Sequence, residues 1–141
     1  MTKFYYNKNG KLVRDKIPAL HRAEGHILKM RRLGKDELAD AILGKFPEEL
    51  QELIDEKSAG DAGREKKEIA DLLTLIESYI VARGFTKEEI RTVQAEKDAE
   101  RGAFHDGAWI DWIDLNDNCP DGQRLLKKFH KESGKYIEEV K

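Results

Sequence analysis

Glu68-Ile69-Ala70-Asp71-Leu72-Leu73-Thr74-Leu75-Ile76 is the stretch on which the fold turns, because two acids at helical spacing open the least polar run of the chain. Ile69, Leu72, Leu73, Leu75, Ile76, Tyr79 and Ile80 recur so that a helix from about Arg64 to Arg83 is apolar over more than half its circumference. A helix of that kind is expected to be buried on several sides. Glu68 and Asp71 then share one face, a turn apart. Acids held beside a buried face repel one another and lose water, so they call for a cation.

Working back along the chain, Glu48-Glu49-Leu50-Gln51-Glu52 supplies a second pair, Glu49 and Glu52, at the same spacing. Leu38, Ala41, Ile42, Phe46, Leu50, Leu53 and Ile54 form a helical stripe that runs to about Lys57, with Asp36 as its expected N-cap. Pro47 either kinks or splits this helix, or stands in the first turn of a second one. Fifteen residues separate Glu52 from Glu68, enough for the end of one helix, a loop over 58–63 and a returning helix. Two adjacent antiparallel helices with converging carboxylates are the expectation. Glu49, Glu52, Glu68 and Asp71 are the candidate ligands of a hard divalent cation, Mg2+ with Mn2+ as a substitute. Glu48, about 100° round the helix from Glu49, suits the positioning of water better than direct ligation. Since 38% of the residues are charged, such pairs also arise on solvated faces, and that plainer reading stays open.

Lys11-Leu12-Val13-Arg14-Asp15-Lys16-Ile17-Pro18 groups three cations around an apolar anchor, a composition suited to phosphate oxygens. Further on, Thr86-Lys87-Glu88-Glu89 is a capping box that starts a helix carrying Lys97 and Arg101 on one face. In their order, these motifs resemble a known family. Glu-Glu-x-x-Glu followed after fifteen residues by Glu-x-x-Asp resembles the MazG-like, all-α nucleoside triphosphate pyrophosphatases. Leu-Val-Arg-Asp-Lys-Ile-Pro resembles their phosphoribosyl-ATP pyrophosphohydrolase-like branch. Lys97-Asp98-Ala99-Glu100-Arg101-Gly102-Ala103-Phe104 is similar to the Lys-x-x-x-Arg-Gly-Gly-Phe stretch near the end of such domains. The resemblance runs from about Lys11 to Phe104 and departs at Pro47 and at Ala103, which stands where the family has a second glycine.

The resemblance implies an all-α antiparallel helical bundle assembled from paired subunits, a homodimer or homotetramer. A pyrophosphohydrolase domain over 1–115 is expected around the matched motifs, with 116–141, which has no counterpart in the family pattern, as a helical extension of the same domain. It implies Mg2+-dependent hydrolysis of a nucleoside triphosphate between the α and β phosphates, by a metal-activated water, to a nucleoside monophosphate and pyrophosphate. Glu48, Glu49, Glu52, Glu68 and Asp71 match the catalytic positions. Lys97 and Arg101, with Arg14 and Lys16, are the candidates to hold the β and γ phosphates. Three functions are open: removal of unwanted (deoxy)nucleoside triphosphates, phosphoribosyl-ATP hydrolysis, and a non-enzymatic helical oligomerisation or regulatory module.

The rest of the chain bounds these choices. A net charge of −2 with no long basic stretch makes nucleic acid an unsuitable partner. No apolar run approaches the ~18 residues of a membrane span, and no secretory leader is visible, so a cytoplasmic protein is expected. Cys119 is the sole cysteine, which excludes an internal disulfide framework; without a basic neighbour it reads as an incidental surface or packing residue. The four histidines form no Glu-x-x-His pair, against a di-iron bundle.

The remaining elements are local. Asn9-Gly10 predicts a hairpin or extended arm at the N-terminus. A short helix should begin near Pro18 and end at Gly25, followed by an extended strip over 26–33. Trp109 and Trp112 could stack a base, but at their spacing they more often seal a core or a subunit interface. A helix from about Asp121 to Lys131 carries Leu125, Leu126 and Phe129, and the Lys-Glu-rich end should fray.

Overall fold

The computed structural model describes residues 1–5, 10–132 and 134–135. The expected hairpin turn at Asn9-Gly10 and the expected fraying of the Lys-Glu-rich end fall largely outside them. The described residues are all-helical, as expected: α1 is Ile17–Ala23, α2 Lys35–Ala59, α3 Ala62–Ala82, α4 Lys87–Arg101 and α5 Pro120–Lys131. The chain divides into two compact units, Met1–Arg101 and Gly102–Lys141. No helix among the described residues is long and apolar enough to cross a membrane.

In the first unit, the antiparallel pair is made by a joint of two residues. Gly60 has φ 74°, the left-handed region that glycine enters without strain, and there the chain leaves α2. Its N–H donates to the Lys57 carbonyl at 3.1 Å and the Asp61 N–H to the Glu56 carbonyl at 3.2 Å, satisfying the last carbonyls of α2. Asp61 then caps α3, its side chain accepting from the Arg64 N–H at 3.0 Å. The loop expected over 58–63 is therefore shorter, and α3 packs back along α2. Ala39 and Ile42 near the start of α2 and Ile80 near the end of α3 are the buried apolar residues, as antiparallel pairing requires.

Three expectations change. Pro47 neither splits α2 nor opens a second helix: α2 is continuous through it. The missing N–H deprives only the Leu43 carbonyl, and Leu43 is exposed, so water can take that bond. Asp36 is not the N-cap; Gly34 is, and Asp36 sits in the first turn, where its charge suits the helix dipole. The third concerns α3, which is buried along one edge only in this chain. Leu73 stays 57% exposed, and Ile69, Ile76 and Val81 are exposed too, as are Leu43, Leu50 and Ile54 of α2.

The flanking segments behave nearly as expected. α1 ends at Ala23 with Glu24 as its C-cap, two residues before the expected Gly25; residues 26–34 have no regular structure, and from within them Arg31 grips Glu37 in the first turn of α2, Nη1 to Oε2 at 2.9 Å. At α4 the capping box forms: the Thr86 N–H donates to Glu89 Oε2 at 2.7 Å, and the Glu89 N–H to Thr86 Oγ1 at 3.1 Å. Lys87 ties the start of α4 to Glu77 of α3 at 2.7 Å, and the rest of α4 is exposed along its length.

In the second unit Trp109 and Trp112 lie in no helix and are 86% and 79% exposed, so among the described residues of that unit they seal no core. Cys119 has a definite local task. Its sulfur caps α5, accepting from the Gly122 N–H at 3.2 Å while the thiol donates to the Asn116 carbonyl at 3.2 Å. Gly122 is buried so close beneath Asn116 that an added Cβ would stand 1.9 Å from its carbonyl oxygen.

Candidate metal centre

The joint at Gly60 explains why the acids meet. Glu49 and Asp71 each lie eleven residues from it, one on either side, and Glu52 and Glu68 each lie eight away. In a helical hairpin turning at Gly60, residues equally far from the turn are level across the pair. Helical spacing puts both members of each pair on a common face. The symmetry of the sequence about the turn thus becomes proximity in space.

Glu49, Glu68 and Asp71 are half-buried, and each offers one oxygen within 4.8 Å of the others. Oxygens around an octahedral Mg2+ at about 2.1 Å stand up to about 4.2 Å apart, so small side-chain adjustments would close the set on the ion. Glu68 carries the strain of the cluster. Its Oε2 is shielded from solvent and has no hydrogen-bond partner. Burial first, then the charges of Glu52, Asp71 and Glu49, and then a hydrogen bond shared with Glu52, raise its carboxyl above the ordinary 4.5. Glu52 is exposed and outside the three-oxygen set, but it stands beside Glu68. Glu68 thus has one shielded oxygen and three acids near it, a crowding that a hard cation would relieve and that a proton shared with Glu52 relieves in its absence. The residues present are therefore compatible with Mg2+.

Cations ring the acids. The Arg14 guanidinium donates to Asp71 Oδ1, and Lys11 Nζ lies 3.9 Å from Glu48 Oε2. Lys45, which the sequence motifs did not single out, is the best placed, with its ammonium 3.0 Å from Glu48 and 3.3 Å from Glu49 and its side chain only 17% exposed. Burial works to lower the Lys45 pKa, and the bonds to the two carboxylates outweigh it, so the net shift is upward. Glu48 is in turn held below its ordinary value, by the bond and charge of Lys45 and more weakly by Lys11.

The structure brings together Glu49, Glu68 and Asp71, with Glu52 beside Glu68, Glu48 on Lys45, and Arg14 on Asp71. It does not bring the other cations to them. Lys16 is exposed at the start of α1, and Lys97 is exposed on α4. Arg101 pairs with its neighbour Glu100 at 3.5 Å. No contact among the described residues carries any of the three to the cluster. Comparison with protein-family models, with curated proteins and with solved structures finds no match to this chain.

Proposed function

We infer that the chain is a Mg2+-dependent nucleoside triphosphate pyrophosphohydrolase of the MazG-like kind, cutting between the α and β phosphates to release a nucleoside monophosphate and pyrophosphate. The observation that carries this is the convergence of Glu49, Glu68 and Asp71 from both arms of one helical hairpin, Glu68 also having one oxygen shielded from solvent. The ordered motifs from Lys11 to Phe104 add the choice of reaction. Bound Mg2+ neutralises phosphate charge and lowers the pKa of a coordinated water.

The protein's own part follows from its side chains. Glu49, Glu68 and Asp71 hold the ion, and Glu52 completes the negative wall beside Glu68. Glu48, kept ionised by Lys45, is the candidate to accept a hydrogen bond from the attacking water. Arg14 is the cation nearest the acids from the basic segment and is the candidate to meet the β and γ phosphates. The apolar residues left exposed on α2 and α3 support assembly with further copies, a homodimer or homotetramer that completes the core. Removal of unwanted nucleotides in a reducing cytoplasm fits these features.

The Leu12–Pro18 segment favours a second substrate, phosphoribosyl-ATP. Both are tested together by incubating the protein with a panel of (deoxy)nucleoside triphosphates and phosphoribosyl-ATP, with Mg2+ or with a chelator, and identifying the products. Pyrophosphate from one class and not the other selects the substrate. No Mg2+-dependent product from any would leave a helical oligomerisation or regulatory module.

A further inference from the structure

The segment that precedes α1 crosses the acid-bearing hairpin. Its basic segment ends in α1, where the Ile17 N–H donates to the Arg14 carbonyl at 3.0 Å and Pro18 is buried. Upstream of that anchor it touches both acid-bearing helices, Lys11 reaching Glu48 of α2 at 3.9 Å and Arg14 bonding to Asp71 of α3. Arg14 thus places a permanent positive charge on one of the three carboxylates that could share an ion. A guanidinium cannot be neutralised by losing a proton at any ordinary pH, so a cation arriving at Asp71 must share the carboxylate or displace it. Arg14 is 58% exposed and can swing away without opening the packed hairpin.

We propose that Arg14 and Mg2+ compete for Asp71, so that the basic segment is a latch closed on the acids in the metal-free protein and released when the ion binds. This rests on the metal reading above. It gives the acids a resident counter-ion before metal arrives, and it frees Arg14 for phosphate only once the metal is in place. Order of binding is then built into the fold: the metal, or the metal–nucleotide complex, must precede the arginine's contact with phosphate.

The test uses Mg2+ alone as the probe, with the wild type, Arg14→Ala and, as a charge-matched control, Arg31→Ala. Arg31 pairs with Glu37, twelve residues before Glu49 on α2 and so roughly 18 Å along the helix at 1.5 Å per residue, beyond the screening length. Calorimetric titration should show Arg14→Ala binding Mg2+ about twofold to fivefold more tightly than the wild type, the size of a surface ion pair, and Arg31→Ala unchanged. Trypsin reads the latch separately, because it must take the arginine side chain into its own pocket: cleavage after Arg14 should accelerate in Mg2+, while cleavage after Arg31 should not. Equal or weaker Mg2+ binding by Arg14→Ala, or cleavage after Arg14 indifferent to Mg2+, overturns the latch and leaves the metal centre standing. No Mg2+ binding by the wild type overturns both.

Discussion

Replacing Lys45 by methionine keeps the length of the side chain and removes its charge. The ammonium sits 3.0 Å from Glu48 and 3.3 Å from Glu49, and the Glu49 side chain is only 13% exposed. The pair lies between two regimes. Exposed ion pairs contribute about 0.2–1 kcal/mol, whereas stripping the partner from a fully buried charge costs about 3–5 kcal/mol. For Lys45→Met an intermediate loss of about 1–2 kcal/mol follows, because Glu49 is left without its counter-ion among three other acids. In a unit of about a hundred residues that lowers the melting temperature by about 5–10 °C. Mg2+ should recover much of the loss, since it supplies the missing positive charge to the same carboxylates. Thermal unfolding followed by circular dichroism, in chelator and then in Mg2+, should therefore show a larger Mg2+-induced rise for Lys45→Met than for the wild type. A deficit of the same size with and without Mg2+ would mean that Lys45 supports the helix and not the acid cluster, and the electrostatic account of the site would be refuted.

Other predictions use the same structure. Burial and the neighbouring acids raise the Glu68 pKa above 4.5, so the folded state holds that proton more tightly than the unfolded chain; the stability this lends is present at low pH and is lost as pH rises from 4.5 through the raised value. Denaturation midpoints in chelator should fall across that window, and Glu68→Gln should remove the fall; an unchanged profile in Glu68→Gln would show that another group titrates. Leu73, 57% exposed on α3, should lie in a contact between copies. Sedimentation should find the wild type at least dimeric and Leu73→Glu shifted toward monomer, whereas a monomeric wild type at micromolar concentration would contradict the assembly. Pro47→Ala should stabilise the chain by about 1–2 kcal/mol, restoring a hydrogen bond to the Leu43 carbonyl at the expense of a floppier unfolded chain; a midpoint in urea that does not rise would mean that the helix at Pro47 depends on the ring.

Much of this arrangement is legible before any coordinates, and the acid pairs show why. Three-residue spacing is a local property of a helix, and the equal distances of the pairs from Gly60 are written in the sequence, so only the position of the turn had to be found. Lys45 was hidden for a specific reason. It precedes Glu48 and Glu49 by three and four residues, a spacing that is informative only if the helix is continuous, and Pro47 between them suggested that it was not. The burial of α3 was overread because periodicity reports which residues are apolar and not what covers them; a single α2 covers one edge and leaves Leu73 and Val81 in solvent. Arg14 on Asp71 depends on the path of residues 26–34, which have no regular structure and hence no periodic signature.

Turnover of nucleoside triphosphates is the measurement on which the whole reading rests. The wild type, Glu52→Gln and Asp71→Asn should be compared for pyrophosphate release with Mg2+ and with chelator, alongside their unfolding curves. Wild-type release that requires Mg2+, lost in both variants while both stay folded without metal, is the predicted result; Glu52→Gln keeps or gains stability by relief of like charge, and Asp71→Asn offsets that relief by the loss of its Arg14 pair. Full Mg2+-dependent release by both variants, or variants that unfold, would make the four carboxylates structural and contradict the central claim.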